Sequence, residues 1–118
     1  VVEEVIQFLR QRIDACEASG LESSRLIVDP GFGFGKTLEH NLALLRNLET
    51  LQDLGPPILV GLSRKSMLGK ITGREVDERQ TASAIAAYQA VLGGASILRV
   101  HDISVTKDAI KMAQAITG

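Results

Sequence analysis

Pro57-Ile58-Leu59-Val60-Gly61-Leu62-Ser63-Arg64-Lys65-Ser66 divides in its middle: an unbroken apolar run gives way to two hydroxyls flanking two cations. A short apolar run without polar alternation predicts a strand buried on both faces, the habit of parallel sheets. Working outward, the same shape occurs twice more. Arg25-Leu26-Ile27-Val28-Asp29 is an apolar run ending in a carboxylate and followed by a glycine-rich loop, Pro30 to Lys36. Ser96-Ile97-Leu98-Arg99-Val100 is followed by His101 and Asp102. The strand ends at Asp29, Leu62 and Val100 are 33 and 38 residues apart, the period of a βα unit.

The intervening segments read as helices. Val2, Val5, Ile6, Leu9, Ile13 and Cys16 have helical spacing within residues 1–19, and Gly20 stops that run. Leu38, Leu42, Leu45, Leu48 and Leu51 line a second helix that Gly55-Pro56 ends. A polar loop, Ser63 to Asp77, leads to an alanine-rich helix, Glu78 to Leu92, closed by Gly93-Gly94. Asp102 or Ser104 can cap a last helix running to about Ile116. The expected order is α-βα-βα-βα: three parallel strands and four helices of an α/β fold.

Two architectures suit that order, part of a (β/α)8 barrel or part of an open doubly wound sheet. A whole barrel takes about 250 residues, so the reading is one partial domain over 1–118, the C-terminal half of a TIM-type barrel. Three strands alone leave open edges and uncovered apolar faces. The expectation is association with an N-terminal half or with a partner chain. The chain opens without Met and is already helical, so it reads as the interior of a larger protein.

Composition narrows the class. Hydrophobic residues make up 45% and charged residues 23%, which suits a globular core. A net charge of −1 gives no bulk electrostatic footprint for nucleic acid or an anionic membrane. Cys16 is the only cysteine, which rules out an internal disulfide and makes a cytoplasmic setting the expectation. No apolar run reaches the roughly 20 residues of a membrane span.

Chemistry is marked by where polar residues fall. Asp29, then Ser63 to Ser66, then Arg99 to Asp102 all follow strands, at the edge where parallel α/β folds hold ligands. Arg64, Lys65, Arg99 and His101 suit an anionic substrate, a phosphate or carboxylate. Ser66 stands where a helix could begin, so its hydroxyl and neighbouring N–H groups could hold a second anion. Asp29, a lone carboxylate among cations, suits an amino-heterocycle. Phe32 and Phe34 are read as exposed loop aromatics able to pack on a flat ring.

The loop Pro30 to Thr37 imitates two nucleotide motifs and matches neither. A Walker A loop would need glycine at Pro30, and a dinucleotide fingerprint from Gly33 would need glycine at Leu38. Other residues have plainer readings. His40 is read as capping a helix, Lys36 as loop surface and Cys16 as core. Arg99, between Leu98 and Val100, is read as buried and in need of a partner.

Together, Asp29-Pro30-Gly31-Phe32-Gly33-Phe34-Gly35-Lys36, Gly61-Leu62-Ser63-Arg64-Lys65-Ser66 and Arg99-Val100-His101-Asp102 resemble three motifs of the dihydropteroate synthases, DPGFGFGK, G-x-SRKS and RVHD. They occur in the family's order and spacing. The resemblance implies a (β/α)8 barrel with these motifs after strands six, seven and eight. It implies a transferase of folate biosynthesis joining a pterin diphosphate to p-aminobenzoate. Asp29 would bind the pterin ring, Lys65 its carbonyl and ring nitrogen, and Arg99 would cover its face. His101 with Arg99 would hold diphosphate. Phe34, Arg64 or Lys65, and Ser66 would shape the p-aminobenzoate site, which sulfonamides target, with Gly61 counted among the substrate-binding positions.

The resemblance also implies magnesium on the diphosphate, its protein ligand lying outside this chain, and a homodimer formed through the last helices, about 78–92 and 104–116. The family's pterin-binding Asp and Asn and its first loops fall outside the chain too, so binding by the chain alone is expected to be weak. Two alternatives stand beside this reading. The related pterin-binding methyltransferases share the barrel, but the SRKS cations favour a diphosphate substrate. The other is a non-catalytic half-barrel that folds by association.

Overall fold

The computed structural model describes residues 1–118. Val2–Ala18 forms α1, with Glu3 and Glu4 in its first turn, where carboxylates complement the helix dipole. Its buried Leu9 and Ile13 are one turn apart and face the core. Leu38–Arg46 forms α2, opened by a capping box: Thr37 Oγ1 accepts from the His40 N–H at 3.1 Å, and His40 Nδ1 accepts from the Thr37 N–H at 3.5 Å. His40 is therefore a cap, as its sequence position predicts.

The leucine stripe does not continue as one α-helix. It passes at Asn47 into a 3-10 turn, Leu48–Leu54. Asn47 Nδ2 donates to the Ala43 carbonyl at 2.8 Å and Thr50 Oγ1 donates to the Asn47 carbonyl at 2.6 Å. Such side chains compete for the carbonyls an α-helix would use. Leu48, Leu51 and Leu54 remain buried because a three-residue repeat also keeps them on one face.

Ile58–Val60 forms β1 and Ala95–Leu98 forms β2, paired in parallel with an irregularity between Ile58 and Leu59. The expected first strand is reduced to a single parallel bridge, Val28 to Ile58. A 3-10 turn, Ser23–Arg25, takes up its start, and the Asp29 carboxylate accepts from the Gly31 N–H at 2.9 Å, turning the chain away immediately afterwards. Two strands and a bridge thus replace the three strands expected. Their spatial order, Val28 then β1 then β2, follows chain order.

Five α-helices replace the four expected. The additional one, α3, spans Ser66–Thr72 inside the stretch that reads as a polar loop. Met67 and Leu68 anchor it, and Gly73, at φ 75°, closes it in the left-handed conformation. Gln80–Leu92 forms α4, preceded by a 3-10 turn, Val76–Glu78. Ile103–Thr117 forms α5, which packs along α4.

The strands are not buried on both faces. Val28, Ile58 and Val60 point into a core with Phe32, Leu44, Leu48 and Leu51. The alternate residues lie on the other, open face, where Ile27 is 54% and Ile97 36% exposed. Helices cover only one side of the sheet.

Candidate functional site

The parallel register carries all three sequence clusters to one edge. Leu59 donates to the Val28 carbonyl at 2.8 Å, and Arg99 donates to the Val60 carbonyl at 3.0 Å, one residue past the end of β2. Asp29, Gly61 and Arg99 therefore emerge beside one another on the open face, with Ser63, Lys65 and His101 just beyond. The structure brings together what the sequence places 33 and 38 residues apart.

Arg99 is exposed rather than buried, which corrects the expectation of a partnered core arginine. Its guanidinium lies across Gly61, where a Cβ would stand 2.9 Å from Nη2 and 3.3 Å from Nε. A side chain at 61 would displace the guanidinium from this position. Lys65, half-buried just ahead of α3, reaches across to the glycine-rich loop. Its Nζ donates to the Phe32 carbonyl at 2.6 Å and stands 5.0 Å from the centre of the Phe34 ring, within range of a cation–π attraction. Burial lowers the Lys65 pKa from the ordinary lysine value; Arg99 and Lys36 lower it too, and Asp29 opposes them.

The two loop aromatics separate. Phe34 is 70% exposed on the rim, as expected, but Phe32 is 1% exposed and belongs to the core. The loop holds its shape through polar contacts at both ends. Asn41 Oδ1 accepts from the Gly33 N–H at 3.0 Å, and Lys36 Nζ donates to the Gly31 carbonyl at 2.8 Å and the Phe34 carbonyl at 3.2 Å. Lys36 is thus a brace of the loop.

Arg64 points elsewhere. Its Nη2 donates to Asp102 Oδ1 at 2.8 Å and its Nε to Oδ2 at 3.2 Å, a two-pronged ion pair. The hydrogen bond lowers the Asp102 pKa and raises that of Arg64. Asp102 stands at the start of α5 without capping it by its side chain. Ser63 Oγ accepts from the His101 N–H at 3.2 Å and meets Nδ1 at 2.9 Å, which fixes the ring and leaves Nε2 open. Ser66, the first residue of α3, is exposed beside them.

Several supporting residues escape a sequence reading: Asn41, Ser83, Arg79 and the ion-pairing role of Asp102. Asn41 and Ser83 are polar residues on otherwise apolar helix faces, a signal that each owes a hydrogen bond. Cys16 is a free thiol, half-buried on α1 rather than in the core cluster. The largest concavity, about 810 Å³, is not at this rim. It lies among α2, α3 and α4, lined by residues such as Leu45, Met67, Ile71 and Ile85. The rim is an open shelf; a cleft of about 380 Å³ lies to one side, between Val1, Val5 and Phe8 at the start of α1 and the loop residues Asp29, Phe34 and Lys36, and does not include Lys65, Arg99 or His101. The rim's donors and the exposed Phe34 ring are of the chemistry that suits an anion attached to a flat ring. No group of three or more His, Cys, Asp or Glu side chains that could hold a metal ion occurs in the structure.

Fold and rim define an α/β domain whose polar and cationic residues gather at the C-terminal strand ends, the edge where such folds hold ligands. A family model described as pterin binding enzyme matches residues 1–101, and the chain belongs to that family. Among curated relatives, dihydropteroate synthase of Haemophilus influenzae is 48% identical over 115 residues, covering 98% of this chain and 42% of that protein. That of Neisseria meningitidis serogroup C is 47% identical over 118 residues, with the same coverage. The chain therefore spans about two-fifths of the length of the curated relatives it matches.

Solved structures agree. Dihydropteroate synthase from Xanthomonas albilineans in complex with 7,8-dihydropteroate superposes with a TM-score of 0.96 at 47% identity, over 99% of this chain and 45% of that one. The Yersinia pestis enzyme with a pterine-sulfa conjugate gives a TM-score of 0.95 at 39% identity, over 98% of this chain and 45% of that one.

Proposed function

We propose that residues 1–118 are the C-terminal half of a (β/α)8 dihydropteroate synthase, carrying part of the pterin-binding site. The reaction is the condensation of 6-hydroxymethyl-7,8-dihydropterin diphosphate with p-aminobenzoate. The C–O bond to diphosphate breaks, the aniline nitrogen forms a C–N bond to the exposed methylene, and the nitrogen loses a proton. The observation that carries this reading is Arg99 lying across Gly61, beside Lys65, at a rim that also holds Asp29 and His101.

The roles follow from charge and position. Asp29 accepts hydrogen bonds from the amino-pterin ring. Lys65 donates to its carbonyl and ring nitrogen, and Arg99 stacks over its face. Arg99 and the open Nε2 of His101 stabilise the departing diphosphate, where fixed charges act on charge as it develops. Phe34, Ser66 and Arg64 border the p-aminobenzoate end, Arg64 with its charge already paired to Asp102. The cationic rim lacks a carboxylate cluster for magnesium, so the protein ligand of a diphosphate-bound magnesium would come from outside these residues.

The open sheet face, with Ile27 and Ile97 exposed, supports association with the barrel's other half. Ile85 of α4 and Met112 and Ile116 of α5, each exposed by more than half, support pairing of two copies through those helices. No helix is long and apolar enough to cross a membrane, and the free Cys16 is consistent with a cytoplasmic enzyme.

The test is a chimera in which this chain replaces the matching 42% of the Haemophilus influenzae enzyme. It should form dihydropteroate from the two substrates. A folded chimera that binds neither substrate would sink the reading. Isothermal titration of the chain alone with the pterin diphosphate should give weak or no heat; micromolar binding would show that the missing strands are dispensable.

A further inference from the structure

We infer that Ser83 and Arg79, at the start of α4, are positioning residues that lock the left-handed turn at Arg64 and thereby aim Lys65 into the rim. Arg64 is the only residue other than glycine with a positive φ, at 57°. An L-residue holds that conformation only where its surroundings impose it. Here both neighbouring peptide groups are gripped from the same helix. The Arg64 N–H donates to Ser83 Oγ at 2.9 Å, and the Arg64 carbonyl accepts from Arg79 Nη1 at 2.8 Å. Ser83 is 6% exposed, so its hydroxyl is largely shielded from competing water.

A second observation points to the same device. Gly69 of α3 lies under the Arg79 guanidinium: a Cβ there would stand 2.6 Å from Cζ and 2.8 Å from Nε. Its missing side chain gives Arg79 a slot through which to reach Arg64, and Arg79 Nε also donates to the Arg74 carbonyl at 3.1 Å. Arg79 thus ties the loop before α3, the end of α3 and the start of α4 into one unit. Lys65 is the next residue after the locked turn, so its reach to the Phe32 carbonyl depends on the direction that turn sets. Neither Ser83 nor Arg79 is placed at the substrate shelf.

The role of the turn in transfer rests on the reaction proposed above, so the test reads the turn without substrate. In the chimera described above, Ser83→Ala and Gly69→Ala would be compared with the unaltered sequence by NMR. Two signals report the lock: exchange of the Arg64 amide and the titration of the Lys65 ammonium. The Leu59 amide, bonded to Val28, reports the fold. Ser83→Ala should speed Arg64 exchange roughly tenfold with Leu59 unchanged, and should move the Lys65 midpoint upward, toward the ordinary lysine value. Gly69→Ala should move Lys65 the same way by displacing Arg79. Unchanged Arg64 and Lys65 signals would overturn the inference. Equal acceleration at Arg64 and Leu59 would overturn it too, since it would mean general loosening.

Discussion

Arg99 rests on Gly61: its Nη2 comes within 2.9 Å of the point a Cβ on residue 61 would occupy. Gly61 has no positive φ, so alanine there meets no backbone strain. The effect of Gly61→Ala is therefore confined to lifting the guanidinium off the sheet. In the chimera, kcat/KM for the pterin diphosphate should fall roughly 100-fold, the scale of an ångström's misplacement at a reacting centre. The fold should survive, read as an unchanged far-ultraviolet dichroism spectrum. A Gly61→Ala chimera with full turnover would remove Arg99 from the site.

Phe32 and Phe34 are two residues apart and have opposite fates, 1% and 70% exposed. Phe32→Ala removes a filled core position and should cost about 3–5 kcal/mol of stability. Phe34→Ala should change stability by less than about 0.5 kcal/mol and raise KM for p-aminobenzoate. Urea unfolding and steady-state kinetics separate the two. If Phe34→Ala destabilises as much as Phe32→Ala, the loop is packed differently from this structure.

The contrast between these aromatics shows what a sequence can carry. The strand ends were legible because an apolar run followed by charge is a local pattern, and three of them at βα spacing imply one edge. The helix stripes were legible for the same reason. Phe32 was not, since glycine-rich loops do not reveal which residue folds inward. Nor was α3, whose Met67 and Leu68 are its only buried residues. The first strand is reduced to the Val28 bridge, between a 3-10 turn, Ser23–Arg25, and the turn that Asp29 makes with Gly31, neither of which spacing reveals. Asp102 looked like a cap because Arg64, 38 residues earlier, is a neighbour only in space. Nor does spacing reveal the open face of the sheet: Ile27 and Ile97 are apolar for a surface these residues do not themselves cover.

The Arg64–Asp102 pair predicts a pH dependence. Asp102 has a lowered folded-state pKa, so the stability it contributes is fully present above its unfolded value, about 3.9. That contribution is lost as pH falls through the still lower folded-state value. Asp102→Asn keeps the shape but removes the charge. Thermal unfolding of the two forms should differ by a constant amount from about pH 5 to about pH 7, roughly one unit or more above that value, and converge in stronger acid. A difference that grows as pH falls would have the wrong sign for this pair.

Lys65 and His40 give the sharpest contrast, because one spans the rim and the other caps a helix. Lys65→Ala removes the ammonium that bridges the loops and should abolish turnover of the chimera. His40→Ala loses half a capping box, should cost about 1 kcal/mol or less, and should leave kcat nearly unchanged. Equal effects would refute the site. The sign of the Lys65 titration adds an independent check. Its folded-state pKa is lowered, chiefly by burial, so between that value and the unfolded one the unfolded chain binds more protons. Lys65 therefore makes stability rise with pH across that window, while affinity for the pterin substrate falls as the ammonium is lost. Stability and binding should move in opposite directions over the same alkaline range, and Lys65→Met should flatten Lys65's contribution to both. A binding profile that fails to weaken until the ordinary lysine value, about 10.4, would mean that the lysine meeting the substrate is not the half-buried one at position 65.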